Sequence, residues 1–331
     1  MRILVFYFVV LAVLISCKDS VDNNVQITNN NQMDKNIEFE INQYSLKLSS
    51  LISKVTFVNN KYIIITSKNE FVCLDENFEI NITLTDKLNQ MKFSNVFFTN
   101  DSVFCVVNLT SQKVERFVLN EKLEWDLYKA KIPVNYNLYQ DDKYVATSFS
   151  MGEFGGAVIF EEKSSAKKFT YPALNPIAVH LIENEYYIVS SLAHMSGFSA
   201  VYKTSAPNKL YEIIDSSINF NSYWVQQFNL YIGNQIKDIV QAPDTLLDVL
   251  DVLIDASFVR NGELFFISTD FQKTYLSKIE NEKLVNIEEI STTPIWTYTP
   301  NIINLPDQMI FSSEKGFISV KSNKIDVIFL N

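Results

Sequence analysis

From Phe39 onward, short apolar runs rich in Val, Ile, Phe and Tyr alternate with polar turns, and the runs have the length and period-two character of strands. One turn motif recurs. It reads Asn59-Asn60-Lys61-Tyr62, Asn100-Asp101-Ser102-Val103, Asp141-Asp142-Lys143-Tyr144 and Glu183-Asn184-Glu185-Tyr186, with starts 41, 41 and 42 residues apart. Later copies stand at Arg260-Asn261-Gly262-Glu263 and Leu305-Pro306-Asp307-Gln308. Each copy follows one apolar run and precedes a second, at 62–66, 103–107, 144–148, 186–190, 264–268 and 309–312. A third run follows at 71–74, 116–119, 157–160, 200–203, 275–278 and 317–320. The pattern predicts an all-β body.

Four strands in forty-odd residues is the spacing of a β-propeller blade, with a β-sandwich or a solenoid as the competing architectures. Residues 45–331 number 287, room for seven modules of 41. The interval between the Glu183 and Arg260 turns is 77, so one module there is irregular. Residues 222–232 offer inner strands for it, but 244–255 reads as a helix. Leu246, Leu247, Leu250, Leu253 and Ile254 share one helical face, Asp244, Asp248, Asp251 and Asp255 share the other, and Asp244 suits the N-cap. The expectation is therefore seven four-stranded blades, or six with a helical insertion at 244–255. The acidic stripe is read as a solvated face, since a calcium loop needs oxygen ligands on a non-helical turn. A ring must also hide its sheet edges, and the segment around 44–48 is placed to pair with the last strand at 324–330.

The turns resemble the Asp-Gly-Lys-Tyr turn of lipoprotein and TolB-type propellers, with Asn and Asp standing where Gly is usual. Those residues tolerate the left-handed backbone best after Gly. The resemblance spans about residues 40–331 and implies a fold, not an activity.

The first residues carry a different signal. Met1-Arg2 precedes thirteen apolar residues, Ile3 to Ile15, too short for a comfortable bilayer span and right for a secretion signal. The run ends in Leu14-Ile15-Ser16-Cys17, which resembles the lipobox of bacterial lipoproteins. That resemblance implies cleavage of 1–16 and lipidation at Cys17, with anchorage in the outer membrane facing either the periplasm or the cell surface. Lys18-Asp19 is similar to the signals that send some lipoproteins to the surface. Residues 17–36 read as the lipidated cysteine and an Asn-rich flexible tether, and 37–331 as a single propeller domain. Several acyl chains give lasting attachment, at about 0.8 kcal/mol per buried CH₂.

Composition narrows the function. A net charge of −10, or −11 once Arg2 is removed with the leader, argues against nucleic-acid partners and against adhesion to an anionic bilayer. Two His and three Cys leave no set of ligands for a zinc or iron–sulfur centre, so no metal and no cofactor is expected. Cys73 and Cys105 stand in apolar strands, to be paired in an oxidising compartment or buried as small apolar residues. His180, in Ile-Ala-Val-His-Leu, reads as a core or central-channel residue.

The loops between second and third strands hold the best candidate site. Ser150–Val158 and His194–Val201 each carry Met, then Phe three residues later, then Ala-Val, and together they hold four of the seven glycines. Asp270-Phe271 occupies a similar place in a later module. The candidate ligand or partner face is therefore Glu153, Phe154, His194, Phe198, Asp270 and Phe271, on the expectation that these loops surround the mouth of the central channel. The chain has no G-x-S-x-G, P-loop, G-x-G-x-x-G or H-E-x-x-H motif, and no catalytic residue is assigned. Asp-Ser-Val at 19–21 and 101–103 and Asp-Thr-Leu at 244–246 resemble bacterial O-glycosylation acceptors. The expectation is a membrane-anchored binding or scaffolding subunit of an envelope or surface complex. The alternative is a propeller enzyme or glycan-binding module with its site at the channel mouth.

Overall fold

The computed structural model describes residues 38–99, 102–108, 114–132, 137–213, 236–237, 241–298 and 301–331. The leader, the lipobox with Cys17, the tether and the candidate strands at 222–232 lie outside the described residues. Among the described residues, no helix is long and apolar enough to cross a membrane.

Six sheets follow one another along the chain. The first comprises Ile52–Val58, Lys61–Thr66 and Phe71–Leu74, and the helix Ile82–Leu88 stands where a fourth strand would run. Asn81 caps that helix by accepting the Leu84 amide at 2.9 Å. The second comprises Asn95–Phe98, Val103–Asn108, Val114–Leu119 and Trp125–Leu127. The third holds Asn137–Gln140, Tyr144–Ser150, Gly156–Glu162 and Lys168–Pro172. The fourth holds Pro176–Ile182, Glu185–Leu192, Phe198–Thr204 and Asp244–Leu250. The fifth holds Leu253–Arg260, Glu263–Thr269, Thr274–Glu280 and Lys283–Ser291. The sixth holds Asn301–Asn304, Gln308–Ser313, Gly316–Lys321 and Lys324–Leu330.

Neighbouring strands in these sheets are antiparallel, with one exception: Glu40–Leu46 lies parallel to Lys324–Leu330, Tyr44 opposite Ile328. The start of the body is thus hydrogen-bonded to its last strand, as the edge-hiding argument expects. Three of the repeated turns take the left-handed backbone, at 59–60, 183–184 and 261–262. Those at 141–142 and 305–308 do not, and Asn100-Asp101 lies outside the described residues. Asn59 and Asn60 have φ of 49° and 59°, and Glu183 and Asn184 have 50° and 69°. Two consecutive residues with positive φ form the tight turn whose twist matches a hairpin.

The helix expected at 244–255 is not formed. Asp244–Leu250 is the outer strand of the fourth sheet, antiparallel to Phe198–Thr204, and Asp251 turns the chain with φ 65° into the inner strand of the fifth. Two strands meeting at a tight turn place apolar residues three and four apart, which imitates helical spacing. Within 244–250 only Leu247 is buried. Asp255 belongs to no solvated stripe: it is completely buried in the inner strand of the fifth sheet.

The irregular 77-residue interval has a related cause. After Thr204 the chain leaves the fourth sheet, adds Tyr211–Ile213 and Ile236–Lys237 to the outer edge of the third, and returns at Asp244. The extra length lies between the third and fourth strands of the fourth sheet, and 214–235 and 238–240 within it lie outside the described residues.

The core lies between sheets. Met309, Phe311, Ile318 and Val327 of the sixth pack against Ala256, Phe265 and Leu276 of the fifth. Ile310, Phe317 and Ile328 on the opposite face meet Ile52, Val55 and Ile64 of the first. Cys73 and Cys105 fall in the cluster joining first and second sheets. Both are free and buried, as the apolar reading of them anticipates. Burial pushes the Cys73 thiol up to about 12. Similar clusters join third to fourth and fourth to fifth sheets.

Candidate functional site

The loops named from sequence come together at one end of the sheets. The loop 151–155 forms a short 3-10 turn, Gly152–Phe154, placing Glu153 on the surface. The next sheet's loop presents His194, and its Nε2 lies 2.7 Å from Glu153 Oε2. The side chains are 41% and 46% exposed, so the pair is worth little to stability and remains open to a ligand or partner.

Gly197 closes the His194 loop with φ +86°, its amide donating to the His194 carbonyl at 2.9 Å. A Cβ there would stand 2.9 Å from the Phe271 ring, so the missing side chain is what lets Phe271 pack over the loop. Phe271 meets Trp296 edge-on at 5.2 Å, and Trp296 meets Tyr298 edge-on at 5.0 Å. Tyr298 is 71% exposed and Met195, beside Gly197, is 93% exposed. A string of aromatic rings thus runs from the fifth-sheet loop, where Phe271 covers Gly197, to the connection between fifth and sixth sheets.

The other sequence-named residues have more local roles. Asp270 Oδ1 accepts the amides of Gln272 and Lys273 at 2.9 and 2.8 Å, and its Oδ2 accepts the Tyr275 hydroxyl at 3.1 Å. Its carboxylate is engaged in shaping the Phe271 turn. Phe198 opens the third strand of the fourth sheet, half-buried and in register with Leu192 and Leu250. Phe154 ends the 3-10 turn. Sequence reasoning noted Met195 only as part of the repeated loop pattern and missed Trp296 and Tyr298. The signal was present in Pro294-Ile-Trp-Thr-Tyr-Thr-Pro300, where two aromatics alternate between prolines.

The cavity lies elsewhere. A space of about 480 Å³ is lined by the inner strands of the third, fourth, fifth and sixth sheets, with Tyr139, His180, Arg260, Asp307 and Gln308 on its walls. It adjoins the turns at 141–143, 261–262 and 305–307, whereas the Glu153 and His194 loops leave the far ends of the second strands. A seven-residue strand such as Tyr144–Ser150 separates those ends by roughly 20 Å. None of the six residues named from sequence lines this cavity. His180 does line it, and its Nε2 lies 2.7 Å from Ser257 Oγ. Burial lowers the imidazole to about 4, so the ring is neutral near pH 7.

Two polar atoms of the cavity-lining residues are unmatched. Arg260 Nε and Gln308 Oε1 are buried without a hydrogen-bond partner. The Gln308 amide nitrogen donates to Tyr62 Oη at 2.9 Å and Ser319 Oγ at 2.7 Å. At the rim, Asp307 is 72% exposed, 3.8 Å from Lys321. Nearby, Asp141 accepts from Tyr186 at 2.7 Å and Tyr139 at 3.3 Å. These bonds, with the Tyr144 and Lys143 amides, hold its carboxyl below the usual value against the opposing effect of burial. Among the described residues, no group of three His, Cys, Asp or Glu side chains is arranged to hold a metal.

No family model and no curated protein matches this chain. Solved structures similar to it include the uncharacterized protein lmo1340 from Listeria monocytogenes, 11% identical, covering 88% of this chain and 98% of that one with a TM-score of 0.37. The β-propeller domain of the Trilobed protease from Pyrococcus furiosus is 10% identical, covering 84% and 97% with a TM-score of 0.30. The computationally designed Ika8 protein is 7% identical, covering 86% and 89% with a TM-score of 0.32. Likeness at this level assigns no function.

Proposed function

We propose that this chain is a lipid-anchored, six-bladed β-propeller that docks a protein partner in the bacterial cell envelope through the loop end bearing Glu153, His194, Phe271, Trp296 and Tyr298. The six consecutive sheets, four of whose inner strands line one cavity, support a ring of blades. Pairing of Glu40–Leu46 with the last strand supports its closure. The Leu14-Ile15-Ser16-Cys17 sequence supports lipidation at Cys17 and an outer-membrane address.

The observation that carries docking is the pair of exposed side chains, Met195 and Tyr298, together with the half-buried rings of Phe271 and Trp296, beside an accessible carboxylate–imidazole pair. Large amphipathic rings and a methionine framed by polar groups are the anchors that protein interfaces use. With the body acidic, the anchor holds the protein at the membrane and the loop end faces its partner.

Purification of the native protein in mild detergent through a C-terminal tag tests this reading. A stoichiometric envelope protein is expected, lost in Trp296→Ala/Tyr298→Ala and retained in Cys17→Ser, which itself leaves the membrane fraction. Truncating central aromatic anchors commonly costs about 2 kcal/mol or more, so Kd should rise about thirtyfold and the partner be lost on washing. Equal recovery by the aromatic double variant contradicts docking at this end.

A further inference from the structure

We infer that the cavity at the opposite end is a binding site for a small sugar acid, whose carboxylate is received by Arg260 and whose hydroxyls meet the neutral polar groups around it. The inference is independent of protein docking, because the two ends share no lining residue. Its starting point is Arg260, which lines the cavity, is half-buried and forms no ion pair with a described residue. Its Nε is enclosed by protein, so the outer nitrogens of the fork are what a ligand in the cavity can meet. A guanidinium on a cavity wall without a paired carboxylate calls for an anionic group. The Gln308 amide is turned to Tyr62 and Ser319, away from the cavity.

The charges select the ligand. Arg260 is one of only three arginines in the chain, and its planar fork suits a carboxylate. One guanidinium with an acid, Asp307, at the rim suits a single negative charge better than a phosphate dianion. His180 is tied to Ser257 and adds no cation near pH 7. Besides Gln308, the remaining polar lining is amide and phenol, Asn137, Gln140, Asn304 and Tyr139, which pair with hydroxyls. Apolar walls from Ile177, Phe258 and Met309 offer surface to a sugar ring. A volume of about 480 Å³ is of the size that holds small molecules.

Isothermal titration of the full chain in detergent with D-glucuronate, D-gluconate, D-lactate, D-glucose and inorganic phosphate tests the assignment. Saturable binding of glucuronate or gluconate is expected, about tenfold or more tighter than glucose, lactate and phosphate. Arg260→Gln should remove that preference with an unchanged melting curve, and Arg260→Lys should keep part of it. Asp307→Asn, which removes the like charge at the rim, should tighten sugar-acid binding about two- to threefold. Trp296→Ala/Tyr298→Ala, at the other end, should leave it unchanged. No binding of either sugar acid, glucose or phosphate binding as tightly as the sugar acids, or full binding by Arg260→Gln, each overturns the assignment.

Discussion

Asp255 sits completely buried at an irregularity in the inner strand of the fifth sheet, where the pairing register shifts between Ile254 and Ala256. Neither carboxylate oxygen reaches hydrogen-bond geometry, although the Thr297 backbone lies near enough to favour the ionised form. Burial dominates and raises the carboxyl well above its ordinary value. The folded chain therefore keeps a proton that the unfolded chain releases. Its contribution to stability is full below the unfolded carboxyl value and is lost as pH rises from there toward the folded one. Asp255→Asn should raise the melting temperature by several degrees at pH 7, with the gain shrinking to nothing near pH 3.5. A gain independent of pH would contradict the protonation argument, and a loss at pH 7 would place a stabilising partner on this carboxylate. The sequence could not show this, because an Asp spaced like Asp244, Asp248 and Asp251 looks like one more exposed acid. Only the turn at Asp251 and the shift beside it bring Asp255 inside.

At the level of elements, the second and third strands of each module and the turns before them were legible, because apolar runs and Asn-rich turns are local signals. Asp244–Leu250 was not, for a physical reason. An outer strand pairs on one side only and buries one residue in seven, so period-two patterning fades and the leucines of two strands merge into an apparent helical face. The two conformations make different demands on Leu247 and Leu250. A helix would set both in the core, whereas this strand buries Leu247 and leaves Leu250 52% exposed. Leu247→Ala should cost about 2–4 kcal/mol and Leu250→Ala less than about 0.5 kcal/mol by denaturant unfolding. Similar losses at both positions would restore the helix.

Over the whole molecule, the tie between the first and last segments of the body could be inferred from the need to hide edges, and it formed as expected. The number of sheets could not, since the interval of 77 between the Glu183 and Arg260 turns breaks the 41-residue spacing. The candidate face was half legible. Repeated small residues with Met and Phe pointed to the loops that bring Glu153 to His194, but Trp296 and Tyr298 arrive from a connection outside any repeat. The cavity was invisible to local motifs, because its walls come from four sheets far apart in sequence.

The proposed function puts a protein partner at the loop end and none across the opposite turns. Its most direct test is site-specific photocrosslinking in intact cells, with the reactive residue at Met195 or Tyr298 and, for comparison, at Asn184 or Asp307. Adducts to one envelope protein from Met195 and Tyr298, and none from Asn184 or Asp307, are expected. Equal crosslinking from both ends, or crosslinking confined to Asn184 and Asp307, would contradict it.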